Sequence, residues 1–254
     1  MIDIHSHILP GLDDGPQTME ETIKLIKTAE QEGIHTIVAA AHHHNSDYVN
    51  PGPYIINCVH ELHEILRDKG IGVTILAGQE NRMNGELINE LESGQAIAIN
   101  GGRYVLIEFS PEEVPNYTKK LFYDMQLRGY IPVIVHPERN QYFQEHPMEL
   151  YQFVKSGAVT QITAQSLTGR ADKKSSSFAE QMLNHNLVHA VASDAHSVDA
   201  RPFELGAAYE KVEEKLDQYR VQTLKLNAER IAANKNIIID QPYPIKKRKF
   251  LGIF

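Results

Sequence analysis

Seven short apolar runs rich in β-branched residues alternate with longer amphipathic stretches along most of the chain. The runs read MIDIH, HTIVAAA, GVTILAG, RYVLIEF, IPVIVH, AVTQITA and LVHAVAS, and each has the length and composition of a strand. The first helix-like stretch has a Thr18/Glu21 capping box and ends at Gly33. Strands that alternate with helices form parallel sheets, and strands this apolar suit burial on both faces. The chain is therefore predicted to be an α/β protein.

The total composition excludes several classes of protein. A net charge of −8 disfavours a general nucleic-acid binder, so no nucleic acid is expected as a partner. No apolar run approaches the roughly 20 residues of a membrane helix, and a soluble, cytoplasmic protein is expected. The single cysteine, Cys58, cannot form an internal disulfide. It lies in a helix-like stretch, where we expect a packed small hydrophobe and not a phosphatase nucleophile.

The chain shows no linker or low-complexity segment, which indicates a single domain. The last helix is expected at about residues 221–235, packed outside the sheet, so that residues 1–236 form the domain. Residues 237–254 are predicted to be a tail that contains the basic segment KKRKF. That segment is interpreted as solvated, with an acidic partner or an anionic membrane surface as the alternative.

Histidines and acidic residues occur at the ends of six of the seven predicted strands. In chain order they are His5 and His7, His42, Glu80, Glu108, His136, and Asp194 with His196. Each of them alone would be an ordinary polar residue, but so many ionisable groups at one edge would be costly without cations. In a (β/α) barrel the carboxyl ends of the strands meet at one rim. We therefore predict a closed or nearly closed barrel with a metal site at this rim.

The spacing of the histidines indicates which of them share a face. Residues two apart on a strand point to the same side, so His5 and His7 can bind one ion together. The same rule pairs His42 with His44 and turns His43 away, and His43 and His44 are interpreted as residues that support the ligands or as loop residues. The sixth strand offers Gln161 and Gln165 in place of an obvious ligand. Six other histidines are interpreted as structural or surface residues: His35, His60, His63, His146, His185 and His189.

The ligand types indicate the metal and the substrate. Imidazoles and carboxylates without a thiolate suit manganese, iron or zinc, and so many ligands suit two or three ions bridged by a carboxylate such as Glu80. Such a cluster makes a bound water more acidic and attracts phosphoryl oxygens. Arg139 and Arg201 each follow a predicted ligand by a few residues, and a guanidinium binds phosphate with two hydrogen bonds. Salt bridges between rim loops are the alternative role of both arginines.

Four motifs, DIHSHILPGLDDGP, GQE, VHPERN and ASDAH, resemble those of the PHP (polymerase and histidinol phosphatase) superfamily. Within it they look most like the manganese-dependent tyrosine-protein phosphatases encoded with bacterial capsule and exopolysaccharide genes, and the likeness extends from Met1 to about Asn236. The resemblance implies a distorted (β/α)7 TIM-like barrel and places Arg139 and Arg201 near the phosphate. It also implies a site for two or three divalent ions, most often manganese, formed by His5, His7, Asp14, His42, Glu80, Glu108, His136, Asp194 and His196. Asp13 is expected to orient the loop that carries Asp14.

The resemblance implies hydrolysis of phosphotyrosine on a cognate bacterial tyrosine kinase or its substrates, and a role in capsule or exopolysaccharide synthesis. The partner would be a membrane-associated kinase, which could bring the enzyme to the membrane. Tyrosinate is a good leaving group because the pKa of a phenol is about 10, so no general acid is named. Two alternatives stay open: another PHP phosphoesterase, such as a histidinol-phosphate phosphatase or a nuclease, and a non-catalytic metal-binding module. A homo-oligomer is equally open.

Overall fold

The computed structural model describes residues 1–246, and these form a mixed α/β fold. The strands in this part of the chain are β1 (Ile2–Ser6), β2 (Thr36–Ala39), β3 (His42–His43), β4 (Thr74–Ala77), β5 (Glu80–Arg82), β6 (Tyr104–Glu108), β7 (Ile131–Val135), β8 (Val159–Thr163) and β9 (Ala190–Ala192). The helices are α1 (Met19–Gln31), α2 (Gly52–Asp68), α3 (Leu87–Ser93), α4 (Thr118–Leu127), α5 (Gln141–Glu145), α6 (Pro147–Lys155), α7 (Ala164–Thr168), α8 (Lys173–Asn184), α9 (Leu205–Lys215) and α10 (Gln218–Ala232). The predicted alternation of strands and helices is confirmed.

All strand pairs are parallel, and the strands form two sheets. One sheet has the order β1-β2-β4 and the other β3-β5-β6-β7-β8-β9. The second and third predicted strands are therefore each split in two, as β2 with β3 and β4 with β5. The break in the third lies at Gly78, where a Cβ atom would come 2.4 Å from the Val38 side chain. Glycine permits this close approach, and the pairing moves to the second sheet beyond it.

Backbone hydrogen bonds connect the two sheets on both sides. Across the split strands, the Gly78 N–H donates to the Ala39 carbonyl at 2.9 Å, and the Glu80 N–H donates to the Ala41 carbonyl at 3.0 Å. Beyond β9, the His7 N–H donates to the Ala195 carbonyl at 2.8 Å. The first and last strands of the fold are thus neighbours.

The strands are buried on both faces, as their apolar sequences predict. Alternate residues of one strand belong to different hydrophobic clusters: Ile37 packs in the larger cluster and Val38 in the smaller one. The same alternation occurs on β6, where Val105 belongs to the larger cluster and Leu106 to the smaller. The predicted capping box at Thr18 and Glu21 starts α1. The larger cluster also contains helix residues such as Leu25 of α1 and Leu62 of α2, so helices cover that face of the strands.

The last described segment, residues 237–246, has no regular secondary structure but contacts the α/β fold. The Tyr243 N–H donates to the His185 carbonyl at 2.9 Å, Arg220 pairs with Asp240 at 2.7 Å, and Ile245 is buried. Of the predicted basic segment, residues 247–250 lie outside the described residues. Cys58 is partly buried on α2 against the core, as expected for a small hydrophobe. No described helix has the length and apolar character to cross a membrane.

A buried histidine directly before β9, away from the carboxyl ends of the strands, is expected to make the stability of the fold depend on pH. The Thr160 N–H donates to the His189 Nδ1 atom at 3.1 Å, which requires that nitrogen to be unprotonated. Burial, and then the charge of Arg220, lowers the pKa of His189 to about 4. The unfolded chain binds a proton at about pH 6.5, so the folded state loses stability as the pH falls from there towards 4.

We expect His189→Asn to remove this contribution, since the asparagine oxygen can accept the same hydrogen bond. As the pH falls from about 7.5 to about 4.5, the free energy of unfolding of the wild type should decrease by on the order of 2 to 3 kcal/mol more than that of the variant. Urea denaturation at the two pH values measures it. An equal pH dependence in both proteins would contradict the assignment.

Candidate metal centre

The structure brings all nine predicted metal ligands and both predicted arginines to the carboxyl ends of the strands. Strand β1 supplies His5 directly and His7 just after its end, and β6 ends at Glu108. His42 and Glu80 lie just beyond the carboxyl ends of β2 and β4, as the first residues of β3 and β5. The remaining side chains follow strands or lie in the loop after β1: Asp14, His136, Arg139, Asp194, His196 and Arg201. Parallel pairing creates this arrangement because it aligns all carboxyl ends at one edge.

Glu80 lies at the centre of the group and is 1% exposed. Its Oε1 atom lies 2.7 Å from His136 Nε2 and 3.6 Å from His5 Nε2. Its Oε2 atom lies 2.8 Å from His42 Nδ1 and 3.3 Å from His7 Nε2. The two carboxylate oxygens therefore face different histidines, which is the arrangement expected of a carboxylate that bridges two ions.

Two further carboxylates lie on either side of Glu80. Glu108 Oε2 lies 3.7 Å from His42 Nδ1 and 3.0 Å from Arg82 Nη2. Asp14 Oδ1 lies 3.2 Å from His196 Nε2 and 3.5 Å from His42 Nε2. Burial, and then the charge of Glu80, raises the pKa of Glu108. The close approach of the His196 imidazole, and then of the His42 imidazole, lowers the pKa of Asp14.

Asp13 holds His7 in one orientation. The His7 Nδ1 atom donates to Asp13 Oδ2 at 2.7 Å, so the lone pair of Nε2 points into the cluster. The same carboxylate accepts the backbone N–H groups of Gly15, at 2.9 Å, and of His42, at 3.1 Å. Asp13 therefore orients its loop, as the sequence predicts. It also orients the candidate ligand His7 and the backbone at the start of β3.

Two other histidines are oriented in the same way. His5 Nδ1 donates to the Gln161 side-chain oxygen at 2.9 Å, and His196 Nδ1 donates to the Asp194 carbonyl at 2.9 Å. In both rings the Nε2 atom then faces the cluster. The sequence singled out Gln161 without a role, although its place on the inner face of a strand was the available signal. Gln165 lies on α7 and not on the strand.

Arg139 and Arg201 both pair with Asp194. The Arg139 Nη1 and Arg201 Nη2 atoms each lie 2.5 Å from Asp194 Oδ2. Burial raises the pKa of Asp194, but the two guanidinium groups outweigh it and hold that pKa well below the ordinary value. The guanidinium groups are only partly buried and line a cavity of about 280 Å³ with His136 and Phe109. The two predicted roles, rim salt bridges and anion binding, are thus compatible.

Two residues at the cavity have a backbone conformation that is unusual for non-glycine residues. His136 has a φ of 34° and Asp194 a φ of 54°. Both follow the last residue of a strand by one or two positions, and both side chains turn into the cluster. Positive φ costs free energy and occurs often at functional sites, where the surrounding structure maintains it. Here the backbone conformation brings His136 Nε2 to Glu80 and Asp194 between the arginines.

The unsatisfied atoms of these side chains fit a set of metal ligands. Four buried atoms of the candidate ligands form no hydrogen bond of suitable angle within residues 1–246: His42 Nδ1, Glu80 Oε2, Glu108 Oε2 and His196 Nε2. Other polar atoms lie close to each of the four. Three overlapping groups have ligand atoms within 4.8 Å of one another: His5, His7 and Glu80; His42, Glu80 and Glu108; and His7, Asp14, His42 and His196. Buried polar atoms without partners are costly, and bound cations would satisfy them.

The other histidines lie away from this group. His44 has a φ of 57° and contacts Glu90, while His43 is buried on the far side of β3. His63 Nε2 accepts the Ile75 N–H, and His185 Nδ1 contacts a carbonyl of its own helix. The positions of His63 and His185 agree with the structural or surface roles predicted for them.

The fold and the side chains at its edge define an α/β protein with a candidate multinuclear metal centre. Residues 1–233 match the family model described as "Capsular polysaccharide synthesis, CpsB/CapC". The chain is 41% identical over 254 residues to the tyrosine-protein phosphatase YwqE of Bacillus subtilis, with all of both chains covered. It is 36% identical to the putative tyrosine-protein phosphatase CapC of Staphylococcus aureus, again over the full length of both.

A solved structure agrees with these sequence matches. It comes from the crystal structures of YwqE from Bacillus subtilis and CpsB from Streptococcus pneumoniae, described as unique metal-dependent tyrosine phosphatases. The TM-score is 0.95 at 40% identity, with 97% of this chain and 100% of the other covered. The chain belongs to the CpsB/CapC family of capsular polysaccharide synthesis, and the resemblance identified from the motifs is confirmed.

Proposed function

We propose that this protein is a metal-dependent protein-tyrosine phosphatase that acts on a bacterial tyrosine kinase of capsule or exopolysaccharide synthesis, or on its substrates. One observation carries the proposal: Glu80 joins four histidines from three strand ends at the base of a cavity whose mouth has two arginines. The family membership supports the same reaction. A cavity of about 280 Å³ with several buried carboxylates suits a phosphate ester held by cations.

The proposal includes the architecture that the motifs predicted. The hydrogen bonds between β2 and β4 beyond their ends, and between His7 and Ala195, support a distorted (β/α)7 barrel in which each split strand counts as one. We propose residues 1–236 as this barrel domain and residues 237–254 as a tail that follows it. The barrel accounts for the position of the site, because its loops converge on one mouth.

We propose that Glu80 and the eight candidate ligands around it hold two or three divalent ions, with manganese the preferred metal and iron or zinc as substitutes. Imidazole and carboxylate donors without thiolate suit these metals. When bound, the ions would supply an acidic water and positive charge for the phosphoryl oxygens. Asp13 and Gln161 would keep the Nε2 atoms of His7 and His5 free for the metal through the hydrogen bonds described above.

The remaining residues of the cavity fit a phosphotyrosine. Arg139 and Arg201 would bind the nonbridging phosphoryl oxygens and stabilise the charge that develops during transfer. Phe109 and Pro111 line the same cavity and offer an apolar surface to the phenyl ring. Because tyrosinate leaves with a pKa of about 10, the reaction needs no strong general acid.

The proposed partner is a phosphotyrosine-bearing protein, in particular a membrane-associated tyrosine kinase. The family's role in capsular polysaccharide synthesis supports this choice. We propose a cytoplasmic location with recruitment to the membrane through that kinase, because kinases draw on cytoplasmic ATP. Nothing in the acidic composition calls for a nucleic-acid partner.

Comparative rates test the proposed reaction. The manganese-loaded protein should hydrolyse a phosphotyrosine peptide with a kcat/KM at least about 100-fold above that for histidinol phosphate or a phosphodiester. Preference for histidinol phosphate or for the diester would favour another phosphoesterase of the same superfamily. Tight metal binding without turnover of any ester would favour a non-catalytic module.

Arg139 provides a mutational test of phosphate binding. We expect Arg139→Lys to lower kcat/KM for a phosphotyrosine peptide by about 100-fold, because lysine keeps the charge but loses the bidentate geometry. Bound metal should stay unchanged. Arg128→Lys is the matched control, since Arg128 pairs with Glu92 on the surface. Equal rates in the two variants would show that Arg139 only bridges the rim loops.

A further inference from the structure

A second group of potential ligands lies just outside the metal centre. His43, His44 and Glu90 each offer one ligand atom, and these atoms lie within 4.8 Å of one another. The rings of His43 and His44 have centroids 4.1 Å apart, and His44 Nε2 lies 2.8 Å from Glu90 Oε1. None of these three contacts involves a residue of the cluster around Glu80. The group therefore differs in both composition and position from the proposed catalytic site.

The backbone explains why two consecutive histidines meet. Side chains of successive strand residues point to opposite faces, so His43 points away from the face of β3 that carries His42. His44 would point back towards His42 if the strand continued. Its φ of 57° ends the strand instead and places the His44 ring beside that of His43. A left-handed histidine is uncommon, and this one has a visible consequence, namely the pairing of two imidazoles.

His43 is the observation that points to a ligand. It is 1% exposed, and neither Nδ1 nor Nε2 forms a hydrogen bond of suitable angle within residues 1–246, although the backbone of Asn50 lies close to the ring. A buried imidazole always has at least one N–H group and normally finds a partner for it. The ring instead lies against that of His44, which in turn contacts Glu90. A bound cation would satisfy the nitrogen that the protein leaves without a partner.

Glu90 is held in place on α3. Its Oε2 atom accepts a hydrogen bond from the Asn84 amide at 3.4 Å, while Oε1 faces His44. The Glu90 side chain is 17% exposed and that of His44 is 39% exposed, so an ion could enter from solvent. A carboxylate with one oxygen anchored and the other directed at an imidazole is a suitable third ligand.

We propose that His43, His44 and Glu90 form an additional site for one divalent transition-metal ion of the zinc type. Two imidazoles and one carboxylate are a common ligand set of zinc, with water in the fourth position. The ion would connect α3 to the residues that follow His42, so its binding would stabilise the start of the loop that continues to α2. It would leave the cluster around Glu80 unchanged.

Zinc binding to the full-length protein tests the site. Equilibrium dialysis against micromolar free Zn²⁺, followed by bound-metal analysis, should show one equivalent fewer in His44→Asn and in Glu90→Gln than in the wild type. Asparagine tolerates the left-handed conformation at position 44, and glutamine keeps the shape of Glu90, so both variants should fold. His60→Asn is the control for loss of an exposed imidazole, and it should bind as many ions as the wild type.

Turnover of the manganese-loaded variants separates this site from the catalytic one. We expect His44→Asn and Glu90→Gln to hydrolyse a phosphotyrosine peptide within about twofold of the wild-type rate. An equal number of zinc ions in all four proteins would overturn the proposal. A lost equivalent accompanied by lost manganese-dependent turnover would overturn it as well, because the variants would then have disturbed the cluster around Glu80.

Discussion

Removal of bound metal is expected to abolish phosphotyrosine hydrolysis, by about 10⁴-fold or more in kcat/KM. The physical reason is the donor set, in which four carboxylates and five histidines converge and several buried atoms have no hydrogen bond without a cation. Dialysis against a chelator, followed by bound-metal analysis and a peptide assay, measures the loss. Addition of Mn²⁺ should restore turnover, whereas Mg²⁺ should restore less because it prefers oxygen ligands.

The stripped protein should keep its fold, since the two hydrophobic clusters do not involve the proposed ligands. Far-ultraviolet circular dichroism before and after chelation provides the control. Full activity in protein shown to be free of metal would contradict the proposed mechanism. Loss of the fold together with the metal would instead assign the ions a structural role.

Glu80→Gln should lower kcat/KM by about 1,000-fold or more and release at least one equivalent of bound metal. Glutamine has the same shape, so the substitution removes the charge and one acceptor oxygen while it fills the same space. Both oxygens of Glu80 face histidines, two on each side, so no neighbouring carboxylate can take its place. The peptide assay and bound-metal analysis on the same preparation measure both effects.

Glu92→Gln serves as the matched control, because Glu92 forms only an exposed pair with Arg128. It should leave both turnover and metal content unchanged. If Glu80→Gln kept its metal and lost only turnover, Glu80 would act in catalysis without bridging ions. Unchanged turnover with full metal content would remove Glu80 from the site altogether.

The positions of the candidate ligands could be predicted from the sequence because they depend on a simple rule. Polar residues at the ends of apolar runs share one edge when the strands are parallel, and that rule placed Glu80, His136 and Asp194 together before any coordinates. The motif resemblance added Asp14, which lies in a loop with no periodic pattern. Most of the candidate site could therefore be predicted from local sequence.

The features that the sequence did not reveal depend on contacts between distant residues. The break at Gly78 reflects its approach to Val38, forty positions earlier in the chain. The orienting role of Gln161 depends on a hydrogen bond to His5 across the fold. Strand periodicity also failed at His44, where the left-handed backbone replaced the expected pairing with His42. Backbone conformation at a strand end is decided by tertiary contacts that no short window contains.

The neighbouring positions of β1 and the segment after β9 have a consequence for biosynthesis. The N–H of Ser193 donates to Asp3 across a separation of 190 positions, and the N–H of Asp194 donates to the His5 carbonyl beside it. A ribosome releases the His5 and His7 end of the chain long before residues 194–201 emerge. Contacts of such long range form late, because loop closure is costly in entropy. The proposed ion-binding pocket is therefore completed only after nearly the whole polypeptide has been synthesised, and truncated translation products are expected to lack it.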